Sequence, residues 1–136
     1  MIKIKPYMAV SIFSLIVLPV FAAENTIDNL LQEYQAAGAA QGNAQRGEVL
    51  WNKTFNGNKP YAQRSCKTCH SSNVKNHGKH IRTGKTIKPL APSVNPTSLV
   101  KSKNIEKWFK RNCKWTIGKE CSAQQKADIL IFLKQQ

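Results

Sequence analysis

Methionine is almost absent from this chain. Its two copies are Met1 and Met8, and none follows. A thioether sulfur is therefore unavailable as a metal ligand anywhere in the body of the protein. Acid is also missing over a long stretch. No Asp or Glu lies between Glu48 and Glu106, while the same segment holds eleven lysines and arginines. These basic residues show no interleaved aromatic pattern of the kind that stacks on bases, which argues against nucleic acid. They form either an ordinary solvated surface or a positive rim that steers an acidic redox partner. There are no internal repeats, and no low-complexity tail is present.

Only one apolar run is long. It covers Met8 to Leu18, behind Lys3 and Lys5, and ahead of small-residue cleavage sites at Val20-Phe21-Ala22 or Phe21-Ala22-Ala23. This pattern predicts a cleaved export signal over residues 1–23. The run is shorter than the roughly 20 residues a membrane span needs. Residues 24–136 then form one exported, periplasmic domain. Removing Lys3 and Lys5 lowers the formal charge from +14 to +12.

Helical periodicity dominates, and no convincing strand is visible. Thr26 is placed to cap a first helix whose apolar face is Ile27, Leu30, Leu31 and Tyr34, bracketed at its end by Gly38 and Gly42. A second helix is expected from about Asn43 to Phe55, with Ala44, Gly47, Leu50 and Trp51 on one face. Gly47 costs about 1 kcal/mol relative to Ala there, for which close approach to another helix is a return. Ser71 to Ser102 reads as a long loop containing Gly78, Gly84, Pro89, Pro92 and Pro96. Its Ile87, Leu90, Ala91 and Val94 are too apolar for a free linker. A third helix is expected over about Asn104 to Cys113. A fourth starts at Ser122 with a Ser122/Gln125 capping box and buries Ile129, Leu130, Phe132 and Leu133.

Within this frame lies Cys66-Lys67-Thr68-Cys69-His70, a C-x-x-C-H sequence. It is the attachment signature of a c-type haem: two thiols can form thioethers to the two vinyl groups, and the adjacent His can bind the iron. A redox dithiol would follow a strand, but Gly57 to Ser65 reads as a loop. A zinc site would want a second close pair, and the remaining cysteines, Cys113 and Cys121, are eight apart. In an oxidising compartment their default is a disulfide.

The second axial position cannot be filled by Met. His77 and His80 are candidates, although they lie only seven and ten residues past His70, and lysines are plentiful. Asn112 is another, since Ile105, Trp108, Phe109 and Asn112 occupy i, i+3, i+4 and i+7 of the third helix. An amide on an apolar stripe needs a partner, but a helix-terminal Asn can also bond its own backbone.

Ser65 to His70, Arg82-Thr83-Gly84-Lys85, Ile87 to Ser93, and Glu106 to Cys113 followed by Cys121 together resemble the sphaeroides haem protein family. The similarity runs from about Leu31 to the C-terminus. It implies an all-α fold like class I cytochromes c, with about four helices around one covalently attached haem c and a long Pro/Gly-containing loop. Carried over, Cys66 and Cys69 hold the haem, His70 is the proximal ligand, and Asn112 ligates the oxidised iron and leaves on reduction. Cys113 and Cys121 match the bridging cysteines. The resemblance further implies binding of O2 and NO at reduced iron and reduction by a dihaem cytochrome c, whose acidic surface would suit the basic one here. Lys114 departs from relatives that often carry a second Asn at that position. The gas-binding reading extends to reduction of O2 or a nitrogen oxide, for which the sequence offers no dedicated proton donor. The competing readings are a simple electron carrier with bis-His or His/Lys ligation and no exchangeable site, and a sensor in which turnover is irrelevant.

Overall fold

The computed structural model describes residues 20–136. Most of the expected export signal, residues 1–19, lies outside the described residues. Helix α1 spans Val20–Ala36, α2 spans Ala44–Asn52, and a two-residue strand pair, β1 (Phe55–Asn56) with β2 (Gln63–Arg64), follows. The single turn α3 covers Lys67–His70. A second small antiparallel pair, β3 (Gly78–Lys79) with β4 (Thr86–Ile87), precedes α4 (Ser102–Thr116) and α5 (Ala123–Lys134).

Helix α1 buries Ile27, Leu30 and Tyr34 as the periodicity requires. Thr26, however, is not its cap. It lies inside the helix, and its hydroxyl donates to the Val100 carbonyl at 3.1 Å. Helix α2 is capped by the Asn43 side chain, which accepts from the Arg46 N–H. It ends at Asn52 rather than Phe55, because the Thr54 to Asn58 run favours extended and turn conformations and Phe55 pairs with Arg64. The strand pairs leave no mark in the sequence because two residues carry no periodicity. Helix α4 runs one turn further than expected, to Thr116. Helix α5 has the Ser122/Gln125 capping box and buries Ile129, Leu130, Phe132 and Leu133.

Helices α2 and α5 cross in close contact at Gly47. A Cβ there would lie 2.1 Å from the Asp128 carbonyl oxygen and 2.8 Å from the Phe132 Cβ, so only glycine allows this approach. Buried Asp128 secures the crossing. It accepts from Arg46 Nε at 2.9 Å and Nη2 at 2.7 Å, from the Asn43 N–H at 2.8 Å and from the Gln124 amide at 3.0 Å. Burial alone would raise the Asp128 carboxyl, but these bonds outweigh it and hold the group below its ordinary value.

Two apolar clusters flank α5. The first joins Ile27, Leu30 and Tyr34 of α1 to Ile105 of α4 and Ala127 and Leu130 of α5. On its rim, the Tyr34 hydroxyl donates to the Glu106 carboxylate, which also pairs with Lys126 at 2.6 Å. The second cluster joins Trp51 of α2 to Val74 and Ala91 of the long loop and to Ile129, Phe132 and Leu133. Leu99 and Phe109 pack against both. The long loop is thus part of the core: Val74 accepts from the Leu90 and Ala91 N–H groups, and Ser98 donates to the Leu90 carbonyl. Val94, one of the apolar residues of that loop, is nevertheless 52% exposed.

Candidate haem site

The C-x-x-C-H segment forms one helical turn. Ser65 starts it, its N–H donating to the Thr68 hydroxyl at 2.9 Å, and the Cys66 carbonyl accepts from the Cys69 and His70 N–H groups. Cys66 and Cys69, three apart in a helical turn, face the same side, and both are free thiols. Cys66 packs against the second cluster. Burial, with a smaller effect of Cys69, pushes its thiol up to about 11. That is the reverse of the low thiol pKa of a nucleophilic dithiol. Among the described residues, no group of three or more His, Cys, Asp or Glu is arranged to hold a metal ion.

Two elements position His70. Trp51 places its ring 5.7 Å from the imidazole and donates its indole N–H to the Ser71 carbonyl at 3.0 Å. Gly78 of β3 packs on the other side of the turn, where a Cβ would lie 2.1 Å from the Cys69 carbonyl oxygen and 2.9 Å from the His70 Cα. Burial and then the His80 charge lower the His70 pKa to about 4, so the ring is neutral at neutral pH. Its Nδ1 is buried without a hydrogen-bond partner. A neutral imidazole with an unprotonated nitrogen, one residue from a pair of free thiols, fits the donor set of a haem c.

Asn112 lies on the α4 face that carries buried Ile105 and half-buried Phe109. Phe109, three residues before it, packs against the cluster that Cys66 also touches. Asn112 is half-buried, and among the described residues its carboxamide makes no hydrogen bond. Cys113, the next residue, is joined to Cys121 by a disulfide with Cα atoms 5.5 Å apart. Trp108, expected on the same stripe, is 49% exposed, with Lys107 and Arg111 over its ring at 5.1 and 5.4 Å.

His77 is exposed. His80 sits in the turn between β3 and β4, where its Nδ1 accepts from the Thr83 N–H at 3.2 Å. In sequence Trp51 reads only as core, Arg64 as one of the basic residues of the acid-free stretch, and Gly78 as part of the long loop. The glycine eight residues past His70 was the available signal for close backbone approach.

Residues 37–133 match the model of a family described as a domain of unknown function, DUF1924. The cytochrome c-type protein SHP of Cereibacter sphaeroides is 42% identical over 118 residues, spanning 87% of this chain and 90% of that protein. The chain belongs to the sphaeroides haem protein family. The structure of oxidised SHP, described as an oxygen-binding cytochrome c, superposes with a TM-score of 0.74 at 43% identity, covering 81% of this chain and 96% of that one. Oxidised cytochrome c'' of Methylophilus methylotrophus superposes at 0.72 with 29% identity, covering 86% and 96%. The fold is therefore that of a class I-like cytochrome c, with five helices among the described residues, and the family cofactor is one covalently attached haem c. Among the described residues, no helix is long and apolar enough to cross a membrane.

Proposed function

We propose that this c-type cytochrome is a periplasmic monohaem protein with His/Asn axial ligation that transfers electrons and binds O2 or NO at the reduced iron. In this reading Cys66 and Cys69 hold the haem through thioethers, His70 is the proximal ligand and Asn112 the displaceable distal one. When bound, the haem supplies one-electron redox chemistry and, once reduced, a site for a diatomic gas. The observation that supports the reading is the half-buried Asn112, without a hydrogen bond from its carboxamide among the described residues, on the α4 face of Ile105 and Phe109, with the Cys113–Cys121 disulfide one residue on. A neutral amide is a weak donor that ferrous iron releases. His77 and His80 favour no bis-His alternative: one is exposed, and the hairpin bearing the other packs on the backbone of His70 itself.

The partner is an acidic redox protein, in the family's pattern a dihaem cytochrome c. Lys75, Lys79, Arg82, Lys85 and Lys88 are exposed around the β3–β4 hairpin, and among the described residues none has an ion pair. The same hairpin packs through Gly78 on the Cys69–His70 backbone, which brings its charge next to the C-x-x-C-H turn. The domain division, with residues 1–23 removed on export and 24–136 retained, belongs to this proposal.

An absorption spectrum of the reduced protein with and without CO tests it. A high-spin ferrous spectrum that CO converts to low-spin is expected. A low-spin ferrous spectrum unmoved by CO would leave the plain electron carrier.

A further inference from the structure

The segment that leads into the C-x-x-C-H turn carries one side chain that reaches helix α4. Arg64 lies in β2, two residues before Cys66. Its guanidinium donates three hydrogen bonds, all to main-chain carbonyls: Nε to Tyr61 at 2.9 Å, Nη1 to Trp115 at 2.8 Å and Nη2 to Asn58 at 3.3 Å. It also lies over the Trp115 ring at 4.8 Å, and Tyr61 sits 6.3 Å from that ring. Gly57 leaves room for it, since a Cβ there would fall 2.2 Å from Arg64 Nε.

The Trp115 carbonyl is one of the last four of α4, which have no partner within the helix. A cation there satisfies an orphan acceptor and complements the helix dipole. The last turn of α4 holds Asn112, Cys113 and Trp115 together. The disulfide ties that turn forward, to the start of α5. Arg64 ties it backward, to the strand that enters the cofactor attachment turn. Three donors in a fixed planar fork, stacked on an indole, set position in a way that the single ammonium of a lysine does not reproduce.

We infer that Arg64 is a positioning residue that holds the Asn112 turn in register with the Cys66–His70 turn. It thereby sets how firmly Asn112 occupies the distal position. The inference rests on the reading of Asn112 as an iron ligand.

The test uses the ferric holoprotein with azide as the competing ligand, together with amide hydrogen exchange over residues 113–117. Arg64→Ala should tighten azide binding about tenfold, the order of one charge-assisted hydrogen bond, and speed exchange in the last turn. Arg64→Lys should fall between the two, and Trp115→Leu, which removes the stack but keeps the carbonyl, should shift azide binding the same way by less. In an Asn112→Ala background Arg64→Ala should change azide binding no further, because the two residues act through one contact. If Asn112→Ala alone tightens azide and the Arg64 variants do not, the inference is overturned and the ligand reading stands. The inference also fails if Arg64→Ala has the same effect with and without Asn112. If Asn112→Ala itself leaves azide binding unchanged, the ligand reading falls and takes the inference with it. Should Arg64→Ala fail to fold, Arg64→Lys and Trp115→Leu decide the matter by the same comparisons.

Discussion

Trp51 donates its indole N–H to the carbonyl of Ser71, the residue directly after His70, at 3.0 Å. Ser71 takes a left-handed φ of 72°, uncommon for a residue with a side chain. The same indole lies 5.7 Å from the His70 ring and 5.9 Å from Phe132. One side chain of α2 thus locks the exit of the attachment turn and connects it to α5. The chain of support continues through Gly47 and Asp128, which fix α2 on α5. The imidazole is therefore held from the helix core and not merely by its own short helix.

Trp51→Phe keeps most of the buried ring and removes the hydrogen bond. It should lower the unfolding free energy by about 1 kcal/mol, the usual net value of such a bond, read from a urea titration of the holoprotein.

The Asp128 cluster makes stability depend on acid. The folded-state pKa lies below the ordinary 3.8, so the unfolded chain binds the proton more readily. The contribution is full above about pH 5 and is lost as pH falls through the folded value. Asp128→Asn should cost about 2–3 kcal/mol at neutral pH, the scale of a charged hydrogen-bond partner removed. Its deficit relative to wild type should shrink as pH drops from 5 toward 3, as followed by urea midpoints across that range.

The uncompensated charge of the hairpin should appear in reaction rates. Reversing Lys79, Lys85 and Lys88 to Glu should slow oxidation of the reduced protein by ferricyanide, an anion, by about tenfold at low salt. A cationic cobalt(III) phenanthroline complex should gain. Stopped-flow rates at several ionic strengths check both signs, and the difference should fade as salt is raised.

Several features of this architecture are written in local sequence. The C-x-x-C-H motif needs no tertiary context to be read, since five adjacent residues carry it. The burial of Ile27, Leu30 and Tyr34 follows from a 3.6-residue period, and the Ser122/Gln125 box is visible as a spacing. Gly47 could be read as a point of helix contact because a mid-helix glycine is costly without one. Other features depend on partners far along the chain. Thr26 reads as a cap until Val100 is seen to take its hydroxyl, 74 residues away. The Arg64 tie to Trp115 spans 51 residues and looks like surface charge in sequence. Trp108 follows the apolar stripe of α4 yet is half-exposed, since its ring is shared with Lys107 and Arg111. The two-residue strand pairs are set by their turns and by what they pack on, not by alternation.

Whether Asn112 ligates an iron held by His70 is read from the ferric absorption spectrum of Asn112→Ala beside wild type. With Asn112 as the distal ligand, the wild type should give a low-spin ferric spectrum and the variant a high-spin one, with both reduced forms high-spin and converted by CO. A ferric spectrum unchanged by the substitution would contradict it and assign the distal position to another residue.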